Sequence, residues 1–170
     1  MGLAQCVEFL MPMGYDLIAK QGASSNAPLP TLTSGMLRYY IDAGVPPSKI
    51  ILGLPLYGYS FPCGAAAAPA CDVPPTSDPA AWQVGLGTVL GKIAAGEATL
   101  QGFDAASGSP YMEYVEARHA PLGRRQVWYE DASSLSTKAH ALVAGHALAG
   151  WVGGLDNLRA GDCSRGRVCH

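Results

Sequence analysis

Apolar positions fall along this chain in runs of different kinds. Two are short and nearly continuous, Cys6 to Met13 ending at Gly14, and Lys49 to Leu54, β-branched at its start. Such runs read as strands buried on both faces, as in a parallel sheet. Between them a polar loop rich in Ser, Asn and Pro gives way to Met36, Leu37, Tyr40 and Ile41 at helical spacing. Thr33 is placed to cap that helix, Gly44 to stop it, and Pro46-Pro47 to prevent its continuation. Strand, helix and strand within about 45 residues predict one right-handed βαβ unit. Farther on, Asp131 is a good N-cap for a helix that places Leu135, Ala139, Leu142 and Val143 on one face. Gly150 to Val152 then begins a short final strand.

From Tyr57 to Arg125 the pattern breaks. Cysteines, four consecutive alanines and Pro69, Pro74, Pro75 and Pro79 predict an irregular loop. A helix is expected over roughly Gln83 to Ala95, and Pro110–Tyr114 and Gln126–Tyr129 read as two antiparallel strands. The expected class is therefore α/β, with an α+β lobe inserted over residues 57–125.

Composition narrows the function classes. A chain of 170 residues is one domain's worth, able to bury roughly 70% of its unfolded surface if self-contained. With 49% apolar and 14% charged residues, disorder is not expected. A net charge of −2 with no Lys/Arg run argues against nucleic acid and anionic membranes. No apolar run approaches the ~20 residues of a membrane span. Met1 to Cys6 lacks the basic region and long apolar core of a secretory leader, so any leader is expected upstream. No cofactor or metal is expected, since His119, His140, His146 and His170 show no zinc-ligand spacing. Gly85, Gly87, Gly91 and Lys92 fail as a phosphate loop, because Ile93 stands where Ser or Thr is required and no strand is predicted to lead in. Five cysteines leave alternatives open. Cys63 and Cys71 could close a small loop, Cys163 and Cys169 could pair with Cys6 left over, or all could be reduced thiols.

Three strand-like segments end in aromatic and acidic residues: Phe9-Leu-Met-Pro-Met-Gly-Tyr-Asp16, Lys49-Ile-Ile-Leu-Gly-Leu-Pro-Leu-Tyr-Gly58 and Gln126-Val-Trp-Tyr-Glu-Asp131. In their order and spacing they resemble glycoside hydrolase family 18, from about Phe9 to Gly150. The resemblance implies a partial TIM (β/α)8 barrel, its last three strands with the inserted lobe, and active groups at the carboxyl ends of the strands. It favours a Cys63–Cys71 disulfide. It implies an N-acetylglucosamine oligosaccharide of the chitin type as partner, with β-1,4 bonds cut with retention by the substrate's own acetamide. Intact relatives would be lysosomal or secreted.

On that resemblance Tyr15 would donate to the acetamide carbonyl and Asp16 would meet sugar hydroxyls or the acid pair. Met13 would line the pocket floor, and Tyr57 would pack beside it. Trp151 is the remaining candidate, two or three residues ahead of the place, at Gly153 or Gly154, where the family sets a stacking tryptophan. The family's Asp-x-x-Asp-x-Asp-x-Glu run matches none of the thirteen acids; Glu113 and Glu116 come nearest and lie in the lobe. No catalytic residue is therefore expected in this chain. A carbohydrate-binding protein with a decayed barrel is the alternative. Three strands alone would leave open edges, so the isolated chain is expected to associate with itself.

Overall fold

The computed structural model describes residues 5–19, 22–64, 66–69, 71–73, 82–116 and 123–153. In chain order the elements are a π-helical segment Thr31–Leu37 continued by α1 (Arg38–Asp42), β1 (Ile51–Leu54), β2 (Tyr57–Pro62), β3 (Gln83–Gly85), α2 (Leu86–Ala94), β4 (Leu100–Asp104), β5 (Ser109–Val115), β6 (Arg124–Trp128), α3 (Ala132–His146) and β7 (Gly150–Gly153). Cys163, Cys169, His119, His170, Gly154, Pro74, Pro75 and Pro79 lie outside the described residues.

β1 is the middle of three parallel segments. On one side it pairs with β7 throughout, from Ile51 opposite Gly150 to Leu54 opposite Gly153. On the other, Leu10 and Met13 bridge to Ile50 and Gly53, with Leu10 N donating to Lys49 O at 2.8 Å and Ile51 N to Leu10 O at 2.9 Å. Leu52 and Leu54 join Ala27, Leu32, Leu37, Leu135 and Leu142 in one buried cluster, so the π-helical segment and α3 cover this sheet together.

The first segment departs from expectation. It was predicted to be buried, yet Phe9 is 54% exposed and Met11 and Met13 are each 64% exposed. It lies at the side of the three-segment sheet, where alternate residues face solvent, and Pro12 has no amide to donate. Thr33 is likewise no cap. The backbone is already helical at Pro30, whose fixed φ suits a first turn, and the Thr33 hydroxyl donates back to Leu29 O at 3.0 Å. Gly44 does end the helix. At φ +86° it lets its amide reach Ile41 O at 2.9 Å and the Val45 amide reach Tyr40 O at 3.0 Å, the paired closing bonds of a left-handed helix stop.

A second, antiparallel sheet has the order β3-β2-β6-β5-β4. Tyr57–Pro62, expected to open an irregular loop, is one of its inner strands, and β4 has no counterpart in the sequence reading. β6 carries the sheet to Trp128. The expected helix at Gln83 starts at Leu86, because Gln83–Gly85 pairs with β2 instead. A strand thus does lead into the Gly87–Lys92 segment, but Lys92 is engaged by Glu97 at 2.8 Å. Val89 of α2 packs with Met112, Tyr114 and Val127 on one sheet face. The register places Tyr59, Trp128 and Tyr111 side by side on the other face.

Candidate functional site

Tyr15 and Asp16 follow Met13 and Gly14 at the carboxyl end of the first parallel segment, and Tyr57 comes three residues after the end of β1. Parallel register brings these two ends together. Tyr57 and Tyr59 alternate with Gly58 along β2, so both phenols leave the same face. Both donate to one oxygen of Asp16, Tyr57 through its Oη and Tyr59 through its Oη at 2.8 Å. Gln83 Nε2 donates to Tyr59 Oη at 3.1 Å. The Tyr15 and Tyr57 rings meet edge to face with centroids 6.2 Å apart, and the row continues through Tyr59, Phe61 and Trp82.

Asp16 adopts φ +60°, a left-handed conformation that Asp tolerates better than most residues. Asn26 holds it there. The Asp16 amide donates to Asn26 Oδ1 at 2.6 Å, Leu17 N donates to Asn26 O at 3.0 Å, and Asn26 Nδ2 reaches Tyr57 O at 3.4 Å. Ser25, Asn26 and Ala27 are themselves buried. A polar knot fixes them: Ser25 Oγ bonds Ser109 Oγ at 2.6 Å, and Lys138 Nζ donates to Ala27 O at 2.7 Å, Ser109 Oγ at 2.7 Å and Glu130 Oε1 at 2.5 Å. Burial pushes the Lys138 ammonium down and the Glu130 carboxyl up, each opposed by its partner. Glu130 Oε2 has no hydrogen-bond partner.

Burial, and then the bond to Asp16, raises the Tyr57 phenol well above its ordinary value. Tyr59 is raised too, chiefly by burial. Both phenols therefore stay protonated as donors to an exposed carboxylate. The cluster can accept hydroxyl or amide hydrogens at Asp16 and offer ring faces beside it; among the described residues it holds no second carboxylate. Among the described residues, no three of His, Cys, Asp or Glu converge on a metal-sized site.

Of the sequence candidates, the structure brings Tyr15, Asp16 and Tyr57 together. Met13 bridges through its backbone to Gly53 and leaves its side chain in solvent. Trp151, on β7, pairs with Leu52 of β1 and is 41% exposed. Cys63 and Cys71 are bonded, with Cα atoms 4.8 Å apart, and Cys6 is a free, exposed thiol. Tyr59, Asn26 and Gln83 were not singled out as site residues. The Tyr-Gly-Tyr alternation would have marked Tyr59, had Tyr57–Pro62 been recognised as a strand.

The family model described as glycosyl hydrolases family 18 matches residues 1–152. The chain belongs to that family. Among curated relatives, the di-N-acetylchitobiase of Mus musculus is 30% identical over 162 residues, covering 88% of this chain and 42% of its own length. The family-18 chain thus spans less than half the length of that relative. A solved chitinase from Chromobacterium violaceum aligns with a TM-score of 0.66 and 25% identity, over 89% of this chain and 41% of its own. A class V chitinase from Nicotiana tobaccum, in complex with NAG4, aligns with a TM-score of 0.68 and 22% identity, over 89% and 44% of the two chains.

Proposed function

We propose that this family-18 chain is the C-terminal part of a barrel, its last three strands with an inserted α+β lobe, and that it binds oligosaccharides of N-acetylglucosamine. The carrying observation is the pair of phenols, from Tyr57 and Tyr59, converging on Asp16 beside Tyr15 in a member of this family. In this reading Asp16 accepts from a sugar hydroxyl or acetamide N–H, Tyr15 donates to the acetamide carbonyl, and the Tyr57 ring packs against the sugar. Met13 and Trp151 lie on the flanking parallel segments, and their part in binding is peripheral.

The intact protein would hydrolyse β-1,4 bonds of chito-oligosaccharides or glycoprotein glycans, with the acetamide of the substrate as nucleophile. None of the 170 residues supplies the Asp-x-x-Asp-x-Asp-x-Glu run, so the proton for the leaving group does not come from this chain. General acid catalysis is typically worth 10²–10⁴-fold; the chain alone therefore binds without turning over. Bridging of Cys63 to Cys71 accords with a lysosomal or secreted setting. The test is titration calorimetry with N-acetylglucosamine tetramer, paired with a product-release assay. Binding that falls at least about tenfold in Asp16→Asn, with no released sugar, supports the reading; equal affinity in the variant refutes it.

A further inference from the structure

Lys138 is fully buried, and its ammonium bonds none of Tyr15, Asp16 and Tyr57. Its three N–H groups meet three acceptors, Ala27 O, Ser109 Oγ and Glu130 Oε1, so every donor of the ammonium is used. The hydroxyls around it then have one consistent arrangement. Ser109 donates to Glu130 Oε1 at 2.8 Å, so the contact of Ser25 with Ser109 runs from the Ser25 hydroxyl to Ser109 Oγ. Ser25 Oγ in turn accepts from Ala27 N at 3.2 Å.

Ala27 is thus held at both its amide and its carbonyl, and Ser25 by its side chain. Both neighbours of Asn26 are fixed, while Asn26 reaches forward. Its Oδ1 takes the Asp16 amide and its Nδ2 the Tyr57 carbonyl, so one amide side chain ties the ends of two adjacent parallel segments. Asp16 needs that tie. A left-handed φ of +60° is costly for a residue with a side chain and persists only where the surroundings over-determine it. The lobe takes part as well, because Ser109 opens β5 and Leu29 N, two residues after Ala27, donates to Ser107 O at 2.9 Å. Support for Asp16 therefore converges from its own loop, from the lobe and from α3.

We propose that Lys138 is a positioning residue for sugar binding: through Ala27, Ser109 and Ser25 it fixes Asn26, and Asn26 sets the direction in which the Asp16 carboxylate meets its ligand. The lobe belongs to the same device through Ser109. This role rests on the proposed function of Asp16 as an acceptor for sugar hydrogens. It also differs from a contribution to folding. Replacing a buried ion pair by apolar residues is often neutral or favourable for stability, yet an apolar side chain offers no hydrogen to Ala27 O or Ser109 Oγ. Removing both charges should therefore separate the two effects, restoring the fold while leaving the loop that carries Asn26 unheld.

The test combines calorimetric titration of N-acetylglucosamine trimer with amide NMR on the full 170-residue chain. It compares the parent with Lys138→Met combined with Glu130→Leu, with Ser25→Ala and with Asp16→Asn. The double variant should unfold in denaturant near the parent midpoint yet bind trimer about tenfold more weakly, within the range of couplings carried by residues that touch no ligand. Its Asp16 amide, released from Asn26, should move upfield and exchange faster with solvent. Parent affinity in the folded double variant overturns the role of Lys138, as does weakened binding with the Asp16 amide unmoved. Should the double variant fail to fold, Ser25→Ala, which loses one link of the chain, decides by the same two readouts. A weak Asp16→Asn beside a full-affinity double variant sinks the role of Lys138 alone. A parent that binds no trimer, or binds it no better than Asp16→Asn, sinks the proposed function and this role together.

Discussion

Asp16 carries two phenols on one oxygen, and burial, followed by that arrangement, sets how Tyr57 and Tyr59 titrate. Each native value lies above the ordinary 10.0, through burial first and the carboxylate second. The folded state then holds these protons more tightly than the unfolded chain. Their contribution to stability is complete below the unfolded value and is lost as pH rises through the raised native values. Tyrosinate absorbance should consequently show these two phenols, together with that of Tyr129, which burial also raises, ionising only as the protein unfolds in alkali. Tyr57→Phe should flatten the alkaline limb of the stability curve; an unchanged limb would mean that the phenol is solvated. At Lys138 the expected effect is on stability. Lys138→Met leaves Glu130 buried without its cation, so denaturant unfolding should register a loss of about 3–5 kcal/mol, most of it recovered when Glu130→Leu is added. Little of this knot was legible in the chain. Glu130 and Lys138 sit within an acidic and helical motif that the sequence marks, but Ser25 and Ser109 are brought to them only by the tertiary fold. Asn26 is missed for the same reason: a loop Asn has no pattern that announces which amide it will hold.

At the scale of elements, α3 is the helix whose start was most legible. Asp131 Oδ1 accepts from Ser134 N at 2.7 Å and Ser134 Oγ from Asp131 N at 3.0 Å, a reciprocal capping pair. Asp131→Ala should lower stability by about 1 kcal/mol, seen as a lower melting temperature with the fold retained. Gly44 and the Lys49–Leu54 run were equally readable, because both signals are local. β2 and β4 were not. Tyr57–Pro62 alternates Tyr, Gly, Tyr, Ser, Phe and Pro, and its partners lie more than twenty residues away in sequence, so nearby proline and cysteine outweighed a real period of two. The disulfide follows that strand. Closing so short a ring removes unfolded-state freedom worth about 2–3 kcal/mol in the entropy account. Replacing both cysteines by serine should cost a comparable amount in denaturant midpoint.

Among the described residues the parallel sheet has three members, and its flanking segments present apolar side chains to solvent: Phe9, Met11 and Met13 on one side, Trp151 and Val152 on the other. Unpaired strand edges of this kind template association. Sedimentation of the full chain should show self-association that grows with concentration and weakens in Met11→Lys, whereas a monomer at every concentration would show these edges to be protected. The βαβ order and the parallel pairing were foreseen from hydrophobic runs alone; the exposure of the first segment was not, because burial depends on neighbours that a local pattern cannot count. The central claim is that the Tyr15, Asp16 and Tyr57 cluster receives an N-acetylated sugar. Saturation-transfer NMR with N-acetylglucosamine trimer tests it most directly. The account predicts strong transfer to an acetyl methyl group, lost in Asp16→Asn while the protein stays folded; transfer that is absent, or unchanged in that variant, would contradict it.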